Sequence, residues 1–281
     1  MCSASTGLCQ PRGTTPLGGS CTTHAECESN YCLILASGSG LCVRTCSASH
    51  QCPIDFVCRN IAPPQTTFCI HESLVGKDFG PDPSGTFCSD TVNRCHSGWC
   101  WIPQTSCTDT CQHDRDCQVA GRICQLFVGD FDGNGIDEMV TVCAPPSNGS
   151  GATGSACTAN SQCLRGNCLS AGYCGDPCCR ASDCPSGYTC EPVSGAGGSV
   201  IKACARTPGV GSAPVGTPCD PANDLFCRSN YCWEDGPGDP YCTDTCCSDS
   251  DCPEGFRCQS WPFDLDGDQV PDLSWPLCLR R

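Results

Sequence analysis

Lysine is nearly missing from this chain: Lys77 and Lys202 are the only two in 281 residues, and the net charge is −15. Such a surface repels nucleic acid and anionic membranes and favours divalent cations. Long apolar runs are missing too. Leu33 to Ala36 is among the longest, far short of a membrane span. Cys2 follows Met1 directly, with no basic or apolar leader segment, so a leader has been removed or the stretch belongs to a longer precursor. No segment keeps a 3.6-residue period without Gly, Pro or Cys interrupting it, which excludes substantial helix. Catalytic signatures are lacking as well: there is no HExxH, no GxSxG and no phosphate-cradling glycine loop. His24, His50, His71, His96 and His113 stand in turn-like segments without metal or catalytic spacing, so no enzyme is expected.

What the chain has is cysteine, 36 in all. Thirty-two of them form one eight-cysteine pattern written four times, with first cysteines Cys21, Cys88, Cys157 and Cys219 and last cysteines Cys69, Cys143, Cys204 and Cys278. Three spacings are invariant: four residues between the second and third cysteines, three between the fourth and fifth, five between the fifth and sixth. The repeat is therefore the unit to explain. This density requires an oxidising compartment, so the chain is expected outside the cell or at its surface. Repeats of 62 to 69 residues, with 54 Gly and Pro in the chain, bury too little apolar surface to fold on a core alone. Disulfides supply the missing stability, and with an even, repeated cysteine set they outrank zinc ligation. Eight cysteines allow 105 pairings, and spacing does not choose among them.

Linkers rich in Gly, Pro, Ser and Thr divide the chain at 1–17, 18–84, 85–153, 154–215 and 216–281. The first segment holds Cys2 and Cys9, placed like the last two cysteines of a preceding repeat. Either a longer array was trimmed, or an end segment completes a neighbouring molecule. Each repeat is entered by a glycine three residues before its first cysteine (Gly18, Gly85, Gly154, Gly216), which points to a turn with positive φ. Cys179 and Cys247 are additional, each directly after a fifth cysteine. A bond between them requires repeats 3 and 4 to meet face to face; otherwise they pair within a rearranged repeat or with another chain.

Aromatic residues recur before the third cysteine (Tyr31, Trp99, Tyr231) and two before the seventh (Phe56, Tyr188, Phe256). They are expected to cap a minimal core around the sulfurs, with a stacking face for a partner as the alternative. The segment from seventh to eighth cysteine is long enough for a β-hairpin. In repeats 2 and 4 it carries an acidic run starting six residues after the seventh cysteine. Asp130, Asp132, Asn134 and Glu138, with the Ile136 carbonyl, form one candidate ligand set for a hard cation. Asp264, Asp266, Asp268 and Asp272, with the Val270 carbonyl, form the other.

These two loops resemble the calcium loops of thrombospondin type 3 repeats and of the FG-GAP class, and that resemblance implies Ca2+. Glu138 and Gln269 depart from the pattern at its ninth and sixth positions. The half-motifs Cys178–Cys190 and Cys246–Cys258 resemble Dickkopf-type N-terminal cysteine-rich modules, in cysteine rhythm alone. The expected fold is therefore a set of small disulfide-rich repeats of short β-hairpins and loops, with little helix, arrayed as a tandem rod. The expected role is an extracellular structural protein that binds calcium and associates head to tail into a filament or surface appendage. A secreted adhesin binding a glycan or cell-surface partner through Trp99, Trp101 and Trp233 is the alternative, and a protease inhibitor ranks last.

Overall fold

A computed structural model describes residues 13–280 except 30, 36–37, 61–66, 75–79, 90, 102–104, 130–137, 147–148, 195–199, 235–238 and 264–272. Among the described residues there is no α-helix; short antiparallel strand pairs alternate with single turns of 3-10 helix.

The pairing of the cysteines explains the architecture. In every repeat the first cysteine bonds the third and the second bonds the fourth, as in Cys21–Cys32 and Cys27–Cys42. The fifth then bonds the seventh and the sixth the eighth, as in Cys46–Cys58 and Cys52–Cys69. Each eight-cysteine repeat is thus two four-cysteine units of one design. The first two cysteines of a unit flank a tight turn, and the last two face each other across a strand pair, as Cys58 faces Cys69 and Cys258 faces Cys278. The bonds clamp the turn onto the strands, and the sulfurs become the core.

Two side chains in the turn hold it in shape. The residue before the unit's second cysteine reaches back to a backbone N–H just after the first, as Asp116 does to Gln112, Asp183 to Cys179 and Asp251 to Cys247. Two residues earlier, a polar side chain accepts the N–H of the third cysteine: His24 from Cys32, Asp114 from Cys124, Asp249 from Cys258. Turn N–H groups that would otherwise lack partners are satisfied locally. The Cys-x-x-Asp-x-Asp-Cys rhythm in the sequence is the trace of this pair of caps.

The glycines before each repeat have φ between 81° and 93°. Their N–H groups donate to the carbonyl of the fourth cysteine of the same repeat, each at 2.8 Å. A side chain would also collide there. A Cβ on Gly154 would lie 2.3 Å from the Tyr188 hydroxyl, and one on Gly18 would lie 2.9 Å from the Phe56 ring. The aromatic two before the seventh cysteine therefore caps the sulfur cluster on one side and packs on the entry glycine on the other.

The hairpins between seventh and eighth cysteines are present in all four repeats: Phe56–Asn60 with Thr67–His71, Ile123–Gly129 with Glu138–Ala144, Tyr188–Ser194 with Val200–Arg206, and Phe256–Phe263 with Leu273–Arg280. Each lies on the first half of the next repeat. Arg59 of repeat 1 donates to the Ser97 carbonyl and lies over Trp99 of repeat 2. Leu126 N–H of repeat 2 donates to the Arg165 carbonyl of repeat 3 at 2.9 Å. Glu191 of repeat 3 accepts from Tyr231 of repeat 4 at 2.6 Å.

The two ends of the described array also meet. The hairpin of repeat 4 lies on repeat 1, where Arg257 donates to the Glu28 carbonyl at 3.4 Å and the strand Phe256–Phe263 packs on Arg44–Thr45. The repeats form a closed circuit of four seams.

Candidate functional site

The circuit has a polar centre. The residues before the sixth cysteines, Gln51, Asp116, Asp183 and Asp251, come together there from all four repeats. Gln51 Nε2 donates to Asp116 Oδ1 at 3.4 Å, and Ser47 Oγ donates to the same oxygen at 2.9 Å. Arg115 joins Asp183, at 3.3 Å, to Asp251. Lys202 is buried, and its Nζ donates to the Cys246 carbonyl at 2.5 Å and lies 3.0 Å from Cys247 Sγ. Burial lowers the Lys202 ammonium to about 8, against the pull of Asp251, Asp183, Asp244 and Asp116. Asp244 is pushed up to about 7 by burial, opposed by the Ala181 and Thr245 N–H groups that it accepts and by Lys202. For Asp183 burial is overcome by Arg115, the Cys179 N–H, His113 and Arg180, which hold the carboxyl below its ordinary range. This arrangement cross-braces the four repeats.

Cys179 and Cys247 are bonded to each other, with Cα atoms 5.3 Å apart, so repeats 3 and 4 do meet face to face. Every other bond among the described residues lies inside a four-cysteine unit, at sequence separations of 11 to 26 against 68 here. No described cysteine is free, and the close sulfur groupings are these disulfides rather than zinc centres.

In sequence, the candidate calcium loops lie between the paired strands of the hairpins of repeats 2 and 4. The sixth and eighth cysteines of these repeats are 26 positions apart, against 17 and 20 in repeats 1 and 3. Asp130, Asp132, Asn134 and Ile136, and Asp264, Asp266, Asp268, Val270 and Asp272, lie outside the described residues. Glu138 opens its strand with its backbone paired to Gly129.

The tryptophans proposed for partner stacking are half-buried. Trp99 is covered by Arg59 in the seam between repeats 1 and 2, and Trp101 meets Phe127 edge-on at 4.7 Å. Their contacts are those of packing residues. The central cluster was the part missed from sequence. Its signal was present in an aspartate preceding the sixth cysteine of three repeats and in a lysine placed among cysteines of a lysine-poor chain.

No protein-family model matches the chain, and neither a curated protein nor a solved structure does. The disulfide-rich tandem architecture stands on its own, and it is that of a cysteine-rich module suited to an oxidising, extracellular setting. Among the described residues, no helix is long and apolar enough to cross a membrane.

Proposed function

We propose that the chain is a non-catalytic structural module of the cell exterior that binds calcium and associates with copies of itself. The reading is carried by eight cross-linked units in one circuit, two of which have the acidic runs 130–138 and 264–272 between their last two cysteines in sequence. Redundant disulfides leave little chain entropy to regain on unfolding, which suits a long life outside the cell. The loops at 130–138 and 264–272 present oxygen donors in the order a hard cation needs. Ca2+ held there would tie the two strands of each hairpin together at the end farthest from the cystines.

Isothermal titration of calcium into the unreduced chain tests the metal half. Two ions per chain are expected, falling to one in Asp132→Ala or Asp266→Ala and to none in the double variant. Unchanged heat in the double variant overturns it. Electron microscopy of native protein with and without chelator tests association: filaments that loosen on chelation support it, and dispersed single particles in both conditions overturn it.

A further inference from the structure

Three of the four seams are formed by consecutive repeats joined by a linker. The fourth, between the hairpin of repeat 4 and the first half of repeat 1, joins the two ends of the array with no connecting segment. It uses the positions the other seams use. Gln259 follows its seventh cysteine as Arg59 and Glu191 do, and Tyr31 precedes its third cysteine as Trp99 and Tyr231 do. Both line a cleft of about 230 Å³ at this seam.

The side chains at this seam differ from those of the internal seams. In the seam between repeats 2 and 3, Arg165 pairs with both oxygens of Asp114, at 2.6 Å for Nη2 on Oδ2, and lies 3.3 Å from Asp176. In the fourth seam Asp249 occupies the place of Asp114, Arg44 that of Asp176, and Ser29 that of Arg165. Serine holds the Arg165 position here as it does at Ser97 and Ser229 in the seams between repeats 1 and 2 and repeats 3 and 4, but here the Asp109 and Asp244 position is Arg44, so the buried carboxylate of those two seams is absent. Asp249, Arg44 and Ser29 line the cleft, and Asp249 and Arg44 are exposed. The disulfide that locks repeats 3 and 4 also has no equivalent here, since Ser47 and Cys247 are the residues after the two fifth cysteines.

A hairpin of one repeat on the first half of the next is a heterologous contact: its two surfaces differ, so it either closes a ring or continues into an open array. Within a chain the contact is favoured by effective concentration, and between chains by mass action. We propose that the seam between repeat 4 and repeat 1 is the self-association surface: it opens, and the hairpin of repeat 4 seats on repeat 1 of a second copy in the register of the three internal seams. This rests on the self-association reading above and names the surface it uses.

The test places the photo-crosslinking residue p-benzoylphenylalanine at Gln259 in an equal mixture of ordinary and nitrogen-15-labelled full-length chains. Cross-links from 259 to the segment 28–45 are read by mass spectrometry across a concentration series, alongside sedimentation. Mixed-isotope cross-links that grow with concentration and accompany assembly are expected, and Arg257→Glu should reduce them about fivefold, as for a contact near the middle of an interface. Assembly in which every such cross-link stays within one chain overturns this surface and leaves association standing on another. A chain that sediments as a monomer throughout overturns both.

Discussion

The seam between repeats 1 and 2 and the seam between repeats 3 and 4 are built on the same backbone contact and finished with different chemistry. In the first, Asp109 accepts from Ser49 N–H at 2.9 Å; in the second, Asp244 accepts from Ala181 N–H at 3.0 Å. These residues hold the same places in the cysteine pattern. Around them almost everything changes. Ser47 and Gln112 stand where Cys179 and Cys247 are bonded, Thr67 where Lys202 reaches across, and Arg59 over Trp99 where Glu191 meets Tyr231. Even the sign of the charge on the hairpin inverts. The buried carboxylate capping a neighbouring turn therefore sets the geometry of a seam, and the surrounding side chains set its strength and identity.

The largest break in this comparison is removal of the covalent lock. Cys179→Ser with Cys247→Ser should lower stability by roughly 2–4 kcal/mol, read by non-reducing guanidinium unfolding, with repeats 3 and 4 losing amide protection before repeats 1 and 2. Full retention of stability would mean that the noncovalent contacts already suffice. The converse sharpens it: Ser47→Cys with Gln112→Cys should oxidise spontaneously, the mass falling by two hydrogens. Persistent free thiols there would show that the two seams are less alike than their caps.

Lys202→Met comes next. It removes the buried ammonium that donates to the Cys246 carbonyl, and a loss of about 1–3 kcal/mol is expected, as for a buried acceptor left without its donor. The same variant should change the pH profile. In the parent, Asp244 is raised from 3.8 to about 7, so its contribution is complete below about 4 and is lost as pH rises through about 7. Lys202 is lowered from 10.5 to about 8, so stability is regained as pH rises from about 8 towards 10.5. A stability minimum between about 7 and 8 follows. Lys202→Met should abolish the alkaline recovery, and Asp244→Asn the acid limb. A flat profile in the parent would contradict both assignments.

The smallest effect expected is that of Tyr231→Phe, about 1 kcal/mol for one hydrogen bond. Its loss leaves Glu191 with Thr189, whose hydroxyl donates to it at 2.9 Å. Glu191 is already raised by burial against the hydrogen bonds from Tyr231 and Thr189, so it should ionise at still higher pH in the variant. An unchanged carboxyl titration by NMR would show that Tyr231 contributes nothing to the seam.

Local structure was legible in the sequence wherever one residue type is required by one backbone state. The entry glycines, the hairpins between the seventh and eighth cysteines, and the aromatic caps of Phe56, Tyr188 and Phe256 are of this kind. The cystine connectivity was not, because spacing constrains which sulfurs are near in the chain and leaves open which face each other. Nor was the contact between repeats 4 and 1, whose partners Arg257 and Glu28 stand at opposite ends of the described chain. The central cluster lay between these cases. Asp116, Asp183 and Asp251 are visible as a recurring letter, yet each serves its own turn, and their convergence follows from the ring alone.

Because every described cystine but Cys179–Cys247 closes within its own four-cysteine unit, oxidation can keep pace with chain synthesis. A unit becomes complete as soon as its fourth cysteine appears, before the thiols of the next unit can compete for it. The most tempting error is local too, since the third and fourth cysteines of a unit stand opposite each other on neighbouring strands and must both pair backwards to the turn instead. The Cys179–Cys247 bond is the exception to this schedule. It joins repeats 3 and 4 across 68 positions, so its formation reports that those two repeats have docked.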